Sequence, residues 1–261
     1  MNLSSKPNRA GPRESEKEMK KLMFAATAAV CAAVTFGLES ANIVGYQNKA
    51  TASGFNFVTP TFDSVGGDGF IALQNIKIAG ENITDAGDNI QILDDGGATV
   101  ATYYYMTAET SGLEADGWVD GDAWALADVK IPYGASILLD TSNADVDLTF
   151  AGQVAEEDTE IESVAGFNFT GNNTPVEIGI QDILIQGENV TDAGDNIQIL
   201  DEGGATVATY YYMTAETSGL EADGWVDGDA WALADIKLAP GQGILIDTGN
   251  ADVLIVIPSA L

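Results

Sequence analysis

The chain has no histidine, and its one cysteine, Cys31, lies in an apolar run near the N-terminus. Imidazole is the commonest general base and a thiolate the readiest nucleophile at neutral pH. Downstream of that run, acid–base or covalent chemistry would therefore fall to carboxylate pairs, Ser, Tyr or four lysines. Arginine stops at Arg13. Without cysteine, an exported domain draws its stability from packing, bound ions or assembly rather than disulfides. Also missing is any apolar stretch of the roughly twenty residues that a bilayer-spanning helix needs.

The longest apolar run covers residues 22–36, follows Lys20 and Lys21, and ends with Thr35 and Gly37 at minus three and minus one of a cut before Leu38. That is the pattern of a secretory signal peptide. Residues 13–18 are polar and mixed in charge, unlike any part of such a signal, so Met19 is read as the start. The codons for Glu, Lys and Arg are purine-rich, as in a translated bacterial ribosome-binding site. Cys31 follows Val30, not the small residue a lipid-attachment site requires, which weighs against lipidation.

Cleavage after Gly37 removes six of ten basic and three of forty acidic residues, leaving four lysines against thirty-seven carboxylates, a net charge of −33. Such a chain is repelled by phosphate backbones and anionic membranes, which excludes nucleic acid as a partner. The same field opposes close packing of copies, so self-assembly would require screening salt or divalent cations bridging carboxylates.

Residues 80–128 recur as residues 187–235, with only Ile83/Val190 and Asp95/Glu202 changed. The offset of 107 positions is a small domain's length, so each copy is expected to own a core. The expected division is leader and signal at 1–37, a first β-domain at 38–154, an acidic linker at 155–162 and a second β-domain at 163–261. In Ala101-Tyr103-Tyr105 against Val100-Thr102-Tyr104-Met106 the alternation is that of a strand, and Asp94-Asp95-Gly96-Gly97 turns it back from 89–93 as a hairpin. Further strands are expected at 70–79, 136–140 and 146–150, with counterparts at 178–186, 243–247 and 253–257. No amphipathic helix longer than the signal is present. The expected fold is all-β, two tandem antiparallel sandwiches or small barrels of about seven strands each. Residues 253–257 are apolar throughout, so one face of that strand is expected to be covered by the first copy or a partner.

All four tryptophans lie in the repeat. Trp118 and Trp124, six apart, would share one face of an extended backbone beside Asp116, Asp120 and Asp122; Trp225 and Trp231 would do so beside Asp223, Asp227 and Asp229. Aromatic planes flanked by carboxylates can stack on sugar rings and accept their hydroxyl hydrogen bonds. The alternative is that the tryptophans close a core under an acidic loop. The same six aspartates are candidate Ca²⁺ ligands, although their spacing lacks the turn glycine and terminal bidentate Glu of an EF-hand loop. Asp85, Asp88, Asp94 and Asp95 form a second acidic cluster, read as turn chemistry. Two small sandwiches of this kind offer no evident cleft for catalysis.

The string from Glu39 to Gln47 (ESANIVGYQ), Gly54-Phe55-Asn56-Phe57, GDNIQILD, ATVATYYYM, the Gly-Trp acidic loop and Pro240-Gly241-Gln242-Gly243 resemble a group of exported bacterial repeat proteins. The resemblance implies export and domain duplication, and supplies no catalytic residue and no cofactor. The reading is an exported, non-enzymatic, bivalent structural or adhesive protein of a Gram-negative cell envelope or matrix, with self-association or a cell-surface polymer as its partner; the alternative is a tandem carbohydrate-binding module.

Overall fold

A computed structural model describes residues 44–261 except 95, 145, 202 and 203. The signal peptide and Met19 lie outside the described residues. Copy one supplies β1 (Val44–Ala50), β2 (Gly54–Val58), β3 (Phe70–Ala72), β4 (Lys77–Ala79), β5 (Asn89–Leu93), β6 (Thr99–Met106), α1 (Ala108–Ser111), β7 (Gly117–Asp120), β8 (Lys130–Pro132), β9 (Ile137–Thr141) and β10 (Asp147–Gln153). Copy two supplies β11 (Thr159–Glu162), β12 (Gly166–Gly171), β13 (Ile178–Gly179), β14 (Leu184–Gln186), β15 (Asn196–Leu200), β16 (Thr206–Met213), α2 (Ala215–Ser218), β17 (Gly224–Asp227), β18 (Lys237–Leu238), β19 (Gly243–Thr248) and β20 (Leu254–Ile257). The fold is all-β.

Each copy has a five-stranded antiparallel sheet, β2-β9-β5-β6-β7 or β12-β19-β15-β16-β17. It shares its core with a three-stranded sheet, β1-β10-β4 or β11-β20-β14, and a two-stranded ribbon, β3-β8 or β13-β18. In copy one the core takes Ile90, Tyr103, Trp118, Ile137 and Leu139 from the first sheet, Ile78, Leu148 and Phe150 from the second, and Ile71 and Ile131 from the ribbon. Among the described residues no closed barrel forms.

The expected hairpin is β5-β6: Ala101, Tyr103 and Tyr105 face the core and Val100 is exposed. A bulge between Ile92 and Leu93 shifts the register before the turn, and Asp94 closes that turn by accepting the amides of Gly96 and Ala98. The strand expected at 70–79 is instead β3, a 3-10 turn at Leu73–Asn75, and β4. The turn moves the chain from the ribbon to the second sheet, and such short pieces are why each copy shows ten strands among the described residues rather than seven. Within the stretch read as an acidic linker, Thr159–Glu162 pairs with β20 in the second copy's sheet.

The copies meet through surfaces of like position. Gly241 and Gln242 of copy two lie against Val58 and Thr59 of copy one: the Thr59 amide donates to the Gly241 carbonyl at 3.1 Å, and Val58 bridges Gln242. Reciprocally, the Ser136 amide donates to the Phe169 carbonyl at 3.0 Å, the Ser136 hydroxyl donates to the Thr170 carbonyl, and the Thr170 hydroxyl donates to the Gly134 carbonyl at 2.7 Å. Phe57 and Phe169, equivalent positions, meet edge-to-face with ring centroids 5.4 Å apart. This is an approximate two-fold, isologous arrangement inside one chain. Such an interface uses up both of its surfaces and so does not extend into a filament. Gly243 stands where copy one has Ser136 because a Cβ there would lie 2.8 Å from the Phe57 carbonyl carbon. Of the apolar strand β20, Ile255 and Ile257 enter the second core and Val256 is buried on the opposite face. Beyond it, Ala260 packs on the first core.

Candidate functional site

The paired-tryptophan face expected from the spacing does not form. Trp118 is 0 % exposed, packed edge-to-face on Tyr105 with centroids 5.3 Å apart, and its Nε1 donates to the Ile76 carbonyl at 2.6 Å. Trp225 repeats this with Tyr212 and the Ile183 carbonyl. Gln74 holds the indole-bearing strand in place: its Nε2 donates to the carbonyls of Trp118 and Ala127, and its Oε1 accepts the Trp118 amide. Gln181 does the same for Trp225. Trp118 and Trp225 are therefore core residues and cannot meet a ligand.

Trp124 has the opposite fate. The backbone turns at Asp120, whose Oδ1 accepts the amides of Asp122 and Ala123, while the Trp124 amide donates to the Asp120 carbonyl. Val119 then bridges Leu126. This tight reversal breaks the extended geometry that the six-residue spacing assumed. Trp124 sits at φ 50°, in the left-handed region, and is 57 % exposed. Its ring lies nearly parallel to Tyr104, centroids 6.2 Å apart at 10°. In copy two Trp231, at φ 52°, lies over Tyr211 at 6.3 Å and 7°. The tryptophan spacing does not point to Tyr104 or Tyr211; the available signal is the strand alternation, which puts Tyr104 on the face opposite Tyr103 and Tyr105 and Tyr211 on the face opposite Tyr210 and Tyr212.

Beside each aromatic pair runs an open polar groove. In copy one it is about 490 Å³ and lined by Thr99, Thr102, Tyr104, Asp120 and Asp122; in copy two about 320 Å³ and lined by Thr206, Thr209, Tyr211, Asp227 and Asp229. Copy-one side chains at Thr102, Tyr104, Asp122 and Trp124 make no hydrogen bond within the described residues, nor do those of Thr209, Tyr211, Asp229 and Trp231.

The expected calcium ligands do not converge. Asp116 accepts the Ala108 amide at 2.7 Å at the start of α1, Asp120 is engaged in its own turn, and Asp122 stands alone. Asp223, Asp227 and Asp229 repeat this pattern. Among the described residues no three carboxylates are placed to hold a metal ion. In the second acidic cluster, buried Asp88 ties two loops by accepting the amides of Thr84 and Ser142. The Thr110 hydroxyl, together with Thr107, holds the Asp85 carboxyl below its ordinary pKa. Asp95 lies outside the described residues.

A cleft does exist where none was expected. Between the copies an apolar groove of about 520 Å³ is lined by Ala101, Tyr103 and Tyr133 from one and Ile161, Phe167 and Phe169 from the other. Burial, with the Asp63 charge nearby, raises the pKa of the Tyr133 hydroxyl, which donates to the Asn173 carbonyl at 2.7 Å across the interface. Compared with protein-family models, curated proteins and solved structures, the chain matches none of them. No helix among the described residues is long and apolar enough to cross a membrane.

Proposed function

We propose that this protein is an exported, non-enzymatic adhesive or structural component of a Gram-negative cell envelope or its matrix, acting through two like faces on one body. The observation that carries the reading is the duplication of an exposed aromatic face, with the same residues in the same geometry in both copies. Two weak sites joined in one chain gain apparent affinity through effective concentration, which serves attachment better than turnover. The interface between the copies supports a fixed spacing of those faces. The signal-like segment at residues 22–36 and the lack of histidine and of a downstream cysteine support export and a non-catalytic role. With a net charge of −33 after cleavage, association of several molecules would proceed through cations bridging carboxylates on faces other than the closed two-fold interface.

The test is cell fractionation combined with sedimentation velocity. The expected result is protein in the surface or extracellular fraction, sedimenting faster when Ca²⁺ or Mg²⁺ is added. A cytoplasmic monomer indifferent to both cations would overturn the reading.

A further inference from the structure

Each copy presents a tryptophan where the backbone favours glycine. A bulky residue at positive φ carries strain, and the turn from Asp120 to Ala125 would close as well with glycine at its left-handed position. What the tryptophan adds is a flat, half-exposed ring held parallel on Tyr104, and Tyr104 lines a polar groove. The groove brings together chemically complementary groups. The Thr102 and Tyr104 hydroxyls line it and offer donors, the Asp122 carboxylate offers acceptors, the Trp124 ring stacks beside them on Tyr104, and none of these side chains makes a hydrogen bond among the described residues. Copy two repeats every element with Thr209, Tyr211, Trp231 and Asp229.

We propose that the Tyr104–Trp124 and Tyr211–Trp231 platforms are twin binding sites for an uncharged polysaccharide. The C–H face of a pyranose ring stacks on an indole as an apolar surface, and the hydroxyls at its edge need acceptors such as a carboxylate beside that ring. Charge narrows the class further. Asp120 and Asp122 at the groove, in a protein this acidic, repel uronate- or sulfate-bearing chains. One shallow platform stacks one or two sugar units and binds weakly, while two on one body suit a long chain with repeating units. This assignment rests on the bivalent adhesive reading and names the ligand for its two faces.

The experiment uses the full mature chain, with Trp124→Gly and Trp231→Gly singly and together. Glycine suits the left-handed φ at both positions, so the variants are expected to fold, which an unchanged thermal midpoint would verify. Retention is measured on a panel of insoluble neutral glucans, mannans and xylans, on cationic chitosan and on anionic alginate. Expected are retention on at least one neutral polymer, a roughly tenfold or greater loss of apparent affinity in either single variant, no measurable retention of the double variant, and none of any form on alginate. Retention of the double variant on the neutral polymer would overturn the assignment. So would binding confined to chitosan and abolished by about 0.5 M salt, which marks a charge-driven contact, or failure to bind any neutral polymer. If the assignment fails in one of these ways while the chain still locates to the surface and assembles with divalent cations, the adhesive reading stands and only the site falls.

Discussion

Residues 80–128 and 187–235, alike in all but two positions, build the same structure twice, whereas the stretches around 54–79, 131–136, 166–186 and 238–243 have diverged and build the contact between the copies. The repeated part contains the core tryptophans, the Gln74 and Gln181 clamps reach into it from just outside, and both aromatic platforms belong to it. The diverged part contains Ser136 opposite Gly243 and Tyr133 opposite Pro240, and Lys49, just upstream of it, reaches Gly241. An interface close to its own two-fold axis brings equivalent positions against each other, and two identical side chains often cannot share that space. Ser136 donates to the Thr170 carbonyl, while a side chain at Gly243 would strike the Phe57 backbone. Sameness therefore marks the core and platform that each copy builds alone, and difference marks the closest contacts between them, although Ala101 and Tyr103 of the repeat also line the cleft between the copies.

The sharpest test of this division is at the repeated core. Trp118→Ala removes a fully buried indole and leaves the Ile76 carbonyl unpaired, which costs about 3–5 kcal/mol. Trp225→Ala is expected to cost the same within about 0.5 kcal/mol, measured by urea denaturation, because its surroundings are the same. A large inequality would break the claim that the copies have independent, equivalent cores.

At the diverged interface the effects are expected to be smaller and one-sided. Gly243→Ala puts a methyl against the Phe57 carbonyl and ring, an overpacking cost of about 1–3 kcal/mol. Ser136→Gly, at the equivalent position, loses hydrogen bonds to Thr170 and Thr59 without any clash, costing about 1 kcal/mol. Equal effects at the two positions would mean that the two-fold is closer to true symmetry than the side chains indicate.

Lys49 adds a pH dependence found in copy one alone. Its ammonium donates to the Gly241 carbonyl at 2.7 Å across the interface, and burial lowers its pKa from 10.5 to about 8. A lysine pKa lowered on folding means that between pH 8 and 10.5 the unfolded chain binds more protons than the folded one, so stability rises with pH through that window. Below pH 8 the cost of burying the charge is fully present. Because tyrosines also titrate at high pH, the quantity to measure is the difference between wild type and Lys49→Met. Wild type is expected to gain about 1–2 kcal/mol on the variant from pH 7.5 to 10.5, allowing for partial exposure of the side chain. A flat difference would show that this lysine is solvated in the folded protein.

Much of the fold was legible because alternation survives wherever a strand exceeds about five residues. Residues 89–93 and 99–106 announced their hairpin through Ala101, Tyr103 and Tyr105, and Asp94 read as a turn residue because a short carboxylate can cap the amides that follow it. Illegible were the interruptions. In residues 70–79 the pattern IALQNIKIA looks like one strand, yet Gln74 turns the chain so that its amide can clamp Trp118 from a distance of 44 positions. The spacing rule for Trp118 and Trp124 failed similarly, since Asp120-Gly121-Asp122 forms a turn and the rule holds only while the backbone stays extended. Asp-Gly-Asp was the available signal for that turn.

The smallest expected stability effect separates the two tryptophans most clearly. Trp124→Gly gives up its stacking on Tyr104, worth about 0.5–1.5 kcal/mol. It also relieves a left-handed backbone that costs a non-glycine residue about 1–2 kcal/mol. The two nearly cancel, so the unfolding midpoint is expected to move by less than about 1 kcal/mol equivalent, and Trp231→Gly should match it. A residue six positions from Trp118 whose side chain can be removed without loss of stability, while apparent affinity for the polysaccharide falls roughly tenfold, is placed there for its exposed face. A Trp124→Gly change as damaging as Trp118→Ala would make it a structural wedge and remove the physical basis for treating the platforms as sites.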